Sequence, residues 1–347
     1  MRIHSFQRTR ATRSGFTLVE VMVAAALSVV IMTIIATAFQ TGLETLSHLK
    51  SVAGLADRLR AAESVLRNDL AAPHLYYAGS DPDIPSGVVP VSHAKVVLWR
   101  LTTDPGMQGF FRVVTPTSIT EATTDGYGME SSRATDHWLH FTVRLLGNDP
   151  AAAFAARAPD AVWRSPVNMA GLAGAGQLAS RWAEVAYFLV PQSGATTLPD
   201  TGPGLPLHTL RRRQRVIAND AIPSVPPFNV VEYPELSATT NLVNTPRTIT
   251  EPVNRLGKGG VPAPIVPYPL PSGDYRGSDI VLDNVISMRI KALCDNQPEY
   301  ENLPGTEWDS ATNPISGGHR LRAIRLQLRI YDPKNRMTRQ VTIDQAL

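Results

Sequence analysis

The N-terminal part of the chain changes from a basic segment to a long apolar run. Residues 16–39 contain one charged side chain, Glu20, whereas residues 1–15 contain four arginines and no acid. A helix of about 24 residues rises about 36 Å, which exceeds a hydrocarbon core of about 30 Å. The pattern predicts a transmembrane helix over 16–40, and the basic residues before it predict a cytoplasmic N-terminus.

The helical pattern continues beyond the apolar run. Apolar residues recur every three or four positions, with charged residues mostly between them, and Pro73 is the predicted stop. The recurring positions are Leu43, Leu46, Leu49, Val52, Leu55, Leu59, Leu66 and Leu70. We therefore expect an amphipathic continuation of the helix over 41–72, with its apolar stripe on a sheet.

After Pro73 the period changes from helix to strand. β-rich or alternating runs are separated by Gly, Pro and Asp, and strand–helix alternation typical of a parallel sheet is absent. The runs are KVVLWRL, GFFRVVT, HWLHFTVRLL, WAEVAYFLV, HTLRRRQRVIA, NVISMRIKAL, LRAIRLQLRIYD and RQVTID. In LRAIRLQLRIYD the apolar positions alternate with Arg325, Gln327 and Arg329, as in a half-buried antiparallel strand. The pattern predicts an α+β fold with a mainly-β globular head over 73–347.

Two stretches of the head predict loop-like inserts. Residues 147–180 are rich in Ala and Gly, and residues 219–279 are dense in Pro, Asn, Thr and Ser.

Composition adds two restraints. Of the 347 residues, 43% are hydrophobic and 18% are charged, which is ordinary for a globular protein. The formal charge of +3 comes from the basic leader, because the remainder has 29 basic and 30 acidic residues. The charge therefore gives no reason to expect nucleic-acid binding. Cys294 is the single cysteine, so the fold needs no intramolecular disulfide.

Three interpretations compete for the N-terminal segment. A simple anchor explains the length of the apolar run but not Glu20. A secretory signal peptide explains the basic leader, and Ala36-Thr37-Ala38 offers a small-residue cleavage site. Its apolar region, however, would be about twice the usual length and would contain an acid.

The third interpretation rests on the stretch SGFTLVE, which resembles the processing site of type IV prepilins and of type II secretion pseudopilins. The family pattern is a short basic leader, a glycine, a phenylalanine that becomes N-methylated, and a glutamate at the fifth mature position. Gly15, Phe16 and Glu20 match it residue by residue. The resemblance implies that a prepilin peptidase removes residues 1–15 and methylates Phe16, and that the mature chain forms a lollipop of helix and head.

A carboxylate inside lipid usually marks a functional site with a partner. The resemblance implies that Glu20 of an incoming subunit meets the Phe16 ammonium of its neighbour in a filament. The competing interpretation is that Glu20 reaches the nearby headgroups. Small side chains would let neighbouring helices approach closely, namely Ala24, Ala25, Ala26 and Ser28.

The last half of the chain also resembles, more diffusely, the larger minor pseudopilins of the J type and related minor pilins. The order WAEVAYFLV, HTLRRRQRV, VLDNVISMRIKA, GTEWDS and LRAIRLQLRIYD carries this likeness, whereas the long Pro-rich insertions depart from it. Prepilin-like cassette proteins of the Verrucomicrobia type (cassette protein C) have a similar size and layout.

No motif in the head favours catalysis. GAGQLA fits a bare G-x-G-x-x-A but lacks a preceding strand and a βαβ context, so a loop is expected. The histidines show no metal-ligand spacing and are expected at surface or turn positions, and Cys294 is expected to be a buried small hydrophobe. RRRQR over 211–215 is expected to be a charged outer strand face. The run Asp295, Glu299, Glu301, Glu307 and Asp309 is expected to be a solvated loop, although its oxygens could suit Ca²⁺.

The sequence thus predicts a minor pilin or pseudopilin subunit without a cofactor, a metal or catalysis of its own. Its expected partners are prepilin peptidase, sister pilins and an inner-membrane assembly platform. Its expected place is the inner membrane with the head in the periplasm, and then a pilus or pseudopilus. The alternative is a membrane-tethered periplasmic enzyme or binding module whose single-pass anchor stays uncut.

Overall fold

A computed structural model of the chain describes most of the head and nearly all of the long helix. The described residues are 15, 17–79, 86–90, 106–115, 122–124, 130–147, 152–166, 168, 176–192, 206–222, 229, 232–239, 242–255, 277–295, 297–303, 307–310, 321–333 and 335–347. The chain divides into two compact units, Met1–Gly54 and Leu55–Leu347. The predicted strand over 95–101 lies outside the described residues.

One helix, α1 (Leu18–Ala71), comprises 54 residues, of which those up to Gly54 belong to the first unit and those from Leu55 to the second. It contains no proline and ends two residues before Pro73, because the residue before a proline disfavours the helical conformation. In the first unit its side chains are exposed almost throughout, including Leu43, Leu46 and Leu49. Because these three leucines belong to the first unit and the sheet to the second, their place in the buried stripe stays a prediction.

The buried stripe of α1 lies in the second unit. Five residues spaced three or four apart are buried: Leu55, Leu59, Ala62, Leu66 and Leu70. The spacing places them on one face, as the sequence predicted for four of them.

The head is built mainly from strands, labelled in chain order. Their bounds are β1 (Leu75–Tyr77), β2 (Gly87–Val89), β3 (Met107–Gly109), β4 (Phe111–Val114), β5 (Ala122–Thr124), β6 (Glu130–Ser132), β7 (Trp138–Arg144), β8 (Phe154–Arg157), β9 (Gln177–Ser180), β10 (Trp182–Pro191), β11 (His208–Ile217), β12 (Ala238–Thr239), β13 (Leu242–Val243), β14 (Ser278–Cys294), β15 (Glu307–Asp309), β16 (Leu321–Asp332) and β17 (Met337–Ala346). A helical turn, α2 (Asp160–Trp163), and two 3₁₀ turns (Thr248–Thr250 and Pro252–Asn254) complete the described elements.

Eight strands form the main sheet in the order β15-β4-β7-β10-β11-β14-β16-β17, and every pairing is antiparallel. This confirms the predicted α+β architecture of a long helix followed by an antiparallel sheet. Strand β16 covers the predicted segment from Leu321 to Asp332, and its apolar positions are buried while Arg325, Gln327 and Arg329 are half-buried on the other face.

The two faces of the sheet are covered differently. On one face, the leucines of α1 share a core with residues such as Phe141, Val185 and Leu328. On the opposite face, the described residues of the stretch 234–255 (234–239 and 242–255) pack over the middle strands through both backbone and side-chain hydrogen bonds. The sheet is therefore buried on both sides at its centre.

Both predicted inserts contain more regular structure than expected. Within 147–180, β8 and β9 pair as a small antiparallel sheet beside α2. Within 219–279, the described part contains β12, β13 and the two 3₁₀ turns, and it buries Arg255. The interpretation as loops was wrong for these parts, because their small and polar residues form short paired segments that sequence patterns represent poorly.

Candidate assembly site and the charged core of the head

The side chains of Thr17 and Glu20 cap the start of α1. The backbone N–H of Thr17 donates to Oε2 of Glu20 at 2.9 Å, and the backbone N–H of Glu20 lies 3.3 Å from Oγ1 of Thr17. The Thr17 hydroxyl also lies 3.1 Å from the same carboxylate oxygen. This reciprocal arrangement is a capping box, which satisfies two backbone donors that a helix start leaves without partners. Glu20 therefore has a local partner before any neighbouring subunit is considered.

Sequence reasoning missed Thr17. The signal was present, because a threonine followed three residues later by glutamate and an apolar run is the sequence pattern of a capping box. Of the predicted processing residues, Gly15 precedes the helix and is exposed, while Phe16 lies outside the described residues.

The four small residues do not share one face of α1. Successive helix positions turn by about 100°, which groups Ala24, Ala25 and Ser28 on one side and turns Ala26 away from it. The Ser28 hydroxyl donates to the Ala24 carbonyl at 2.8 Å, so it is satisfied within its own helix. The packing role predicted for these four residues stays a prediction, and the geometry favours the first group over Ala26.

Residues 10–36 match the family described as prokaryotic N-terminal methylation motif. The chain carries a prepilin-type N-terminal motif. The match supports a type IV pilin-like protein, and it implies processing by prepilin peptidase and assembly with pilins. By length and composition, α1 is able to cross a membrane, which fits a membrane-anchored pilin. No curated protein and no solved structure matches the chain.

A group of buried ion pairs lies at the β4–β15 end of the sheet, on the face away from α1. Nη1 of Arg255 lies 2.5 Å from Oδ2 of Asp309, and both side chains are fully buried. Arg112 lies 2.6 Å from Glu307 and 3.9 Å from Asp309, and its guanidinium carbon is 4.4 Å from the centre of the Trp138 ring. Burial lowers the pKa of Arg255, an effect that the charge of Asp309 opposes.

Arg255 also fixes the backbone around it. Its Nε donates to the carbonyl of Ile249 at 2.8 Å, its Nη2 donates to the carbonyl of Thr250, and its guanidinium carbon lies 3.9 Å from the centre of the Phe110 ring. One guanidinium thus joins the covering stretch 234–255 to the sheet through Asp309.

A second buried cluster lies beside the first, on β7, β10 and β11. Nε2 of His140 lies 2.6 Å from Oε1 of Glu184, while Oε2 of Glu184 accepts from the Ser237 hydroxyl at 2.7 Å and from Arg215 at 3.4 Å. Burial alone would raise the pKa of Glu184, but the charge of Arg215 and the bond to His140 outweigh it and lower the pKa strongly. Burial lowers the pKa of His140 despite the bond to Glu184. The cluster therefore holds an ionised Glu184 beside a neutral His140.

The arginine run over 211–215 corrects another prediction. Strand β11 lies at the centre of the sheet between β10 and β14, so it is not an outer, solvated strand. Arg213 and Arg215 are buried under the covering stretch, and Arg212 faces α1, where its Nε and Nη2 donate to Asp69 at 2.6 and 3.0 Å. The hydroxyl of Tyr187 donates to the same carboxylate. Because side chains alternate along a strand, Arg212 lies on the face covered by α1, and Arg213 and Arg215 lie on the opposite face. These arginines therefore connect the sheet to the segments packed on both of its faces.

The expected surface position was wrong for four histidines of the head, whereas His48 on α1 is exposed as expected. His74, His137, His140 and His208 are buried in the head rather than at the surface. Each has a hydrogen-bonding atom nearby: Nδ1 of His137, for example, accepts the backbone N–H of Ile290 at 3.0 Å. Their ring nitrogens complete polar contacts between elements, a role that residue spacing alone does not reveal.

The other motifs carry no reactive arrangement among the described residues. Cys294 is buried with a free thiol whose pKa burial raises to about 11, as expected for a small hydrophobe. Gly176 is followed by strand β9, so the helix that a phosphate-binding glycine turn requires is missing there. Asp309 and Glu307 belong to the buried ion pairs rather than to a solvated acidic loop, and the described part of the chain contains no group of three or more potential metal ligands.

We expect the head to lose stability as the pH falls from about 6.5 to about 4. Burial, aided by Arg289 and Arg133, lowers the pKa of His137 and of His208 to about 4, and burial also lowers the pKa of His74 and His140. The unfolded chain then binds more protons in this range, so protonation favours unfolding. At pH 5, His137 and His208 each lower the free energy of unfolding by about 2 kcal/mol relative to pH 7.

Urea titrations of the full chain in detergent, followed by tryptophan fluorescence at pH 7, 6 and 5, measure this loss. The exposed His48 offers a control for the substitution itself, because His48→Gln should change the free energy of unfolding at pH 7 by less than about 0.5 kcal/mol. A free energy of unfolding that stays constant between pH 7 and pH 5 would contradict the prediction.

Proposed function

We propose that the chain is the precursor of a minor pilin or pseudopilin subunit. A prepilin peptidase would cut between Gly15 and Phe16 and methylate the new amino group. The observation that carries the proposal is the N-terminal methylation motif over residues 10–36, which coincides with the start of a helix long and apolar enough to span a membrane. In this proposal the head is a structural and binding module in the periplasm, without catalytic activity.

The capping box suggests how the assembly step works. In the bilayer, the hydrogen bonds from Thr17 would hold the Glu20 carboxylate at the start of its own helix. The ammonium group that the cut creates on Phe16 would lie at the same level. In a staggered filament, the carboxylate of one subunit would meet the Phe16 ammonium of the next. An unpaired buried charge is strongly penalised, so the pair would set the axial register between subunits.

The size of the head supports a minor position. An eight-stranded sheet with covering segments on both faces is large for a unit that must repeat along a shaft. A place at the tip or in the initiating complex of a type II secretion pseudopilus, or of a type IV pilus-like fibre, fits it better. The diffuse likeness of the C-terminal half to J-type minor pseudopilins points the same way.

The mature N-terminus tests the proposal. We expect intact-mass analysis of the membrane-extracted protein, from cells with a prepilin peptidase, to give a chain that starts at N-methylated Phe16. Cells without the peptidase should retain residues 1–15, and Gly15→Val should retain them in both strains, since the peptidase needs the glycine before its cut. An intact leader in peptidase-containing cells would favour an uncut anchor, and a start at Phe39 would favour a secretory signal; both results contradict the proposal.

A further inference from the structure

The guanidinium of Arg112 is buried in the head with only one of its three nitrogens bonded. Its Nε donates to Oε1 of Glu307 at 2.6 Å, and 1% of the side chain is exposed. The terminal nitrogens Nη1 and Nη2 are fully buried, and no described residue offers either of them an acceptor within hydrogen-bond distance. Among the described residues, four N–H groups of one cation therefore have no acceptor.

An arrangement of this kind is unfavourable unless another molecule accepts from these groups. Buried polar groups in proteins are bonded in roughly 90% of cases or more, either to protein or to ordered water. A charged donor loses more than a neutral one when its hydration is removed and not replaced. Arg112 is also held in place, because β4 pairs with β7 and β15 and the Trp138 ring lies 4.4 Å from the guanidinium carbon. We therefore expect an acceptor from outside the chain at Nη1 and Nη2.

Asp309 indicates where this acceptor lies. Its Oδ2 is 3.9 Å from Nε of Arg112, which is too long for a hydrogen bond. A polar distance of this length is typical of two groups with a water between them. The same oxygen lies 2.5 Å from Nη1 of Arg255, and a carboxylate oxygen has lone pairs for more than one donor. A molecule between Arg112 and Asp309 would thus need to accept from the guanidinium and to donate to the carboxylate.

The charges around this position favour a neutral molecule over an anion. Three guanidinium groups face three carboxylates in the two adjoining clusters, and His140 beside them is neutral. The six groups belong to Arg112, Arg215, Arg255, Glu184, Glu307 and Asp309. Because these described charges balance, a bound anion would add a buried charge without a counter-charge. A halide would also have no proton to donate to Asp309.

We propose that one ordered water molecule bridges Arg112 to Asp309 inside the head. It accepts from Nη1 and Nη2 of Arg112 and donates to Oδ2 of Asp309, which gives it the about three hydrogen bonds that buried waters usually make. The water completes the contact between β4 and β15 at the point where Arg255 attaches the covering stretch. This inference goes beyond the proposed function and does not depend on it, because it concerns the head whether or not residues 1–15 are removed.

A crystal structure of the full chain, at a resolution that shows ordered waters, tests the proposal. We expect a density peak within about 3.2 Å both of a terminal nitrogen of Arg112 and of Oδ2 of Asp309. Crystals grown with bromide as the only halide separate water from an anion, because bromide scatters anomalously. An anomalous peak at this position would overturn the proposal. Protein acceptors bonded to both terminal nitrogens, or the absence of any peak, would overturn it as well.

Arg112→Lys tests whether the two terminal nitrogens hold the water. Lysine keeps the positive charge but has one terminal nitrogen, so the double donation is lost and the peak should disappear from crystals of the variant. The exposed Arg60 provides the matched control, because Arg60→Lys should leave the peak unchanged. A peak of equal height in Arg112→Lys would contradict the assignment. Should Arg112→Lys fail to fold, the wild-type crystals with bromide decide alone.

Discussion

Glu20→Gln is expected to remove the subunit from filaments while leaving its processing intact. Glutamine keeps the oxygen that accepts the Thr17 N–H, so the capping box at the start of α1 is retained and only the negative charge is lost. In a filament the Phe16 ammonium of a neighbour would then lack a carboxylate. Breaking a buried ion pair by neutralising one partner costs about 3–5 kcal/mol, so incorporation should fall at least about tenfold.

Immunoblots of purified filaments and of the membrane fraction would measure incorporation, with intact mass reporting cleavage. Thr17→Val is the matched variant, because it removes the hydroxyl from the capping box and keeps the charge at position 20. We expect it to retain more incorporation than Glu20→Gln. Wild-type levels of the Glu20→Gln subunit in filaments would show that the carboxylate is not the partner of a neighbour's ammonium.

Asp309→Asn is expected to destabilise the head by about 3–5 kcal/mol, the range for a buried ion pair that loses one partner. Asp309 is completely buried and lies 2.5 Å from Arg255, so the change leaves the buried Arg255 guanidinium without its directly paired carboxylate, while Arg112 keeps Glu307. The loss also weakens the connection between the stretch 234–255 and the sheet. Urea titration of the full chain at pH 7 with tryptophan fluorescence measures the effect.

Two controls test whether burial and the uncompensated charge cause the loss of stability. Asp57→Asn breaks an exposed ion pair with Arg60 on α1 and should leave the urea midpoint nearly unchanged. The double variant Arg255→Met/Asp309→Leu removes both charges, and it should be more stable than Asp309→Asn if uncompensated charge causes the loss. An Asp309→Asn head as stable as the wild type would contradict the importance of this pair.

Much of the fold could be predicted from periodicity. The apolar run and the leucine spacing predicted α1, and the alternation in LRAIRLQLRIYD predicted β16, because exposure to lipid or to a core imposes a regular pattern on a regular element. The motif at Gly15, Phe16 and Glu20 could be recognised since its residues are close together in the sequence. Thr17 was missed although its pattern is equally local.

The charged core of the head could not be predicted in this way. Arg255 and Asp309 are 54 residues apart, and Arg112 and Glu307 are 195 residues apart, so no local pattern links them. A charged side chain in a segment rich in proline and polar residues is usually solvated, and only the sheet order reveals that these ones face each other. The arginines of β11 were misjudged for the same reason, because a central strand and an edge strand of similar composition look alike in sequence.

The pairing of β4 with β15 has a consequence for how the protein forms during synthesis. It joins Phe111–Val114 to Glu307–Asp309, so the sheet cannot close until about nine-tenths of the chain has left the ribosome. Such long-range contacts slow folding and leave early segments exposed for longer. The buried leucines of α1 are synthesised well before the strands they pack against are complete, so in the nascent protein they stay exposed until those strands are available.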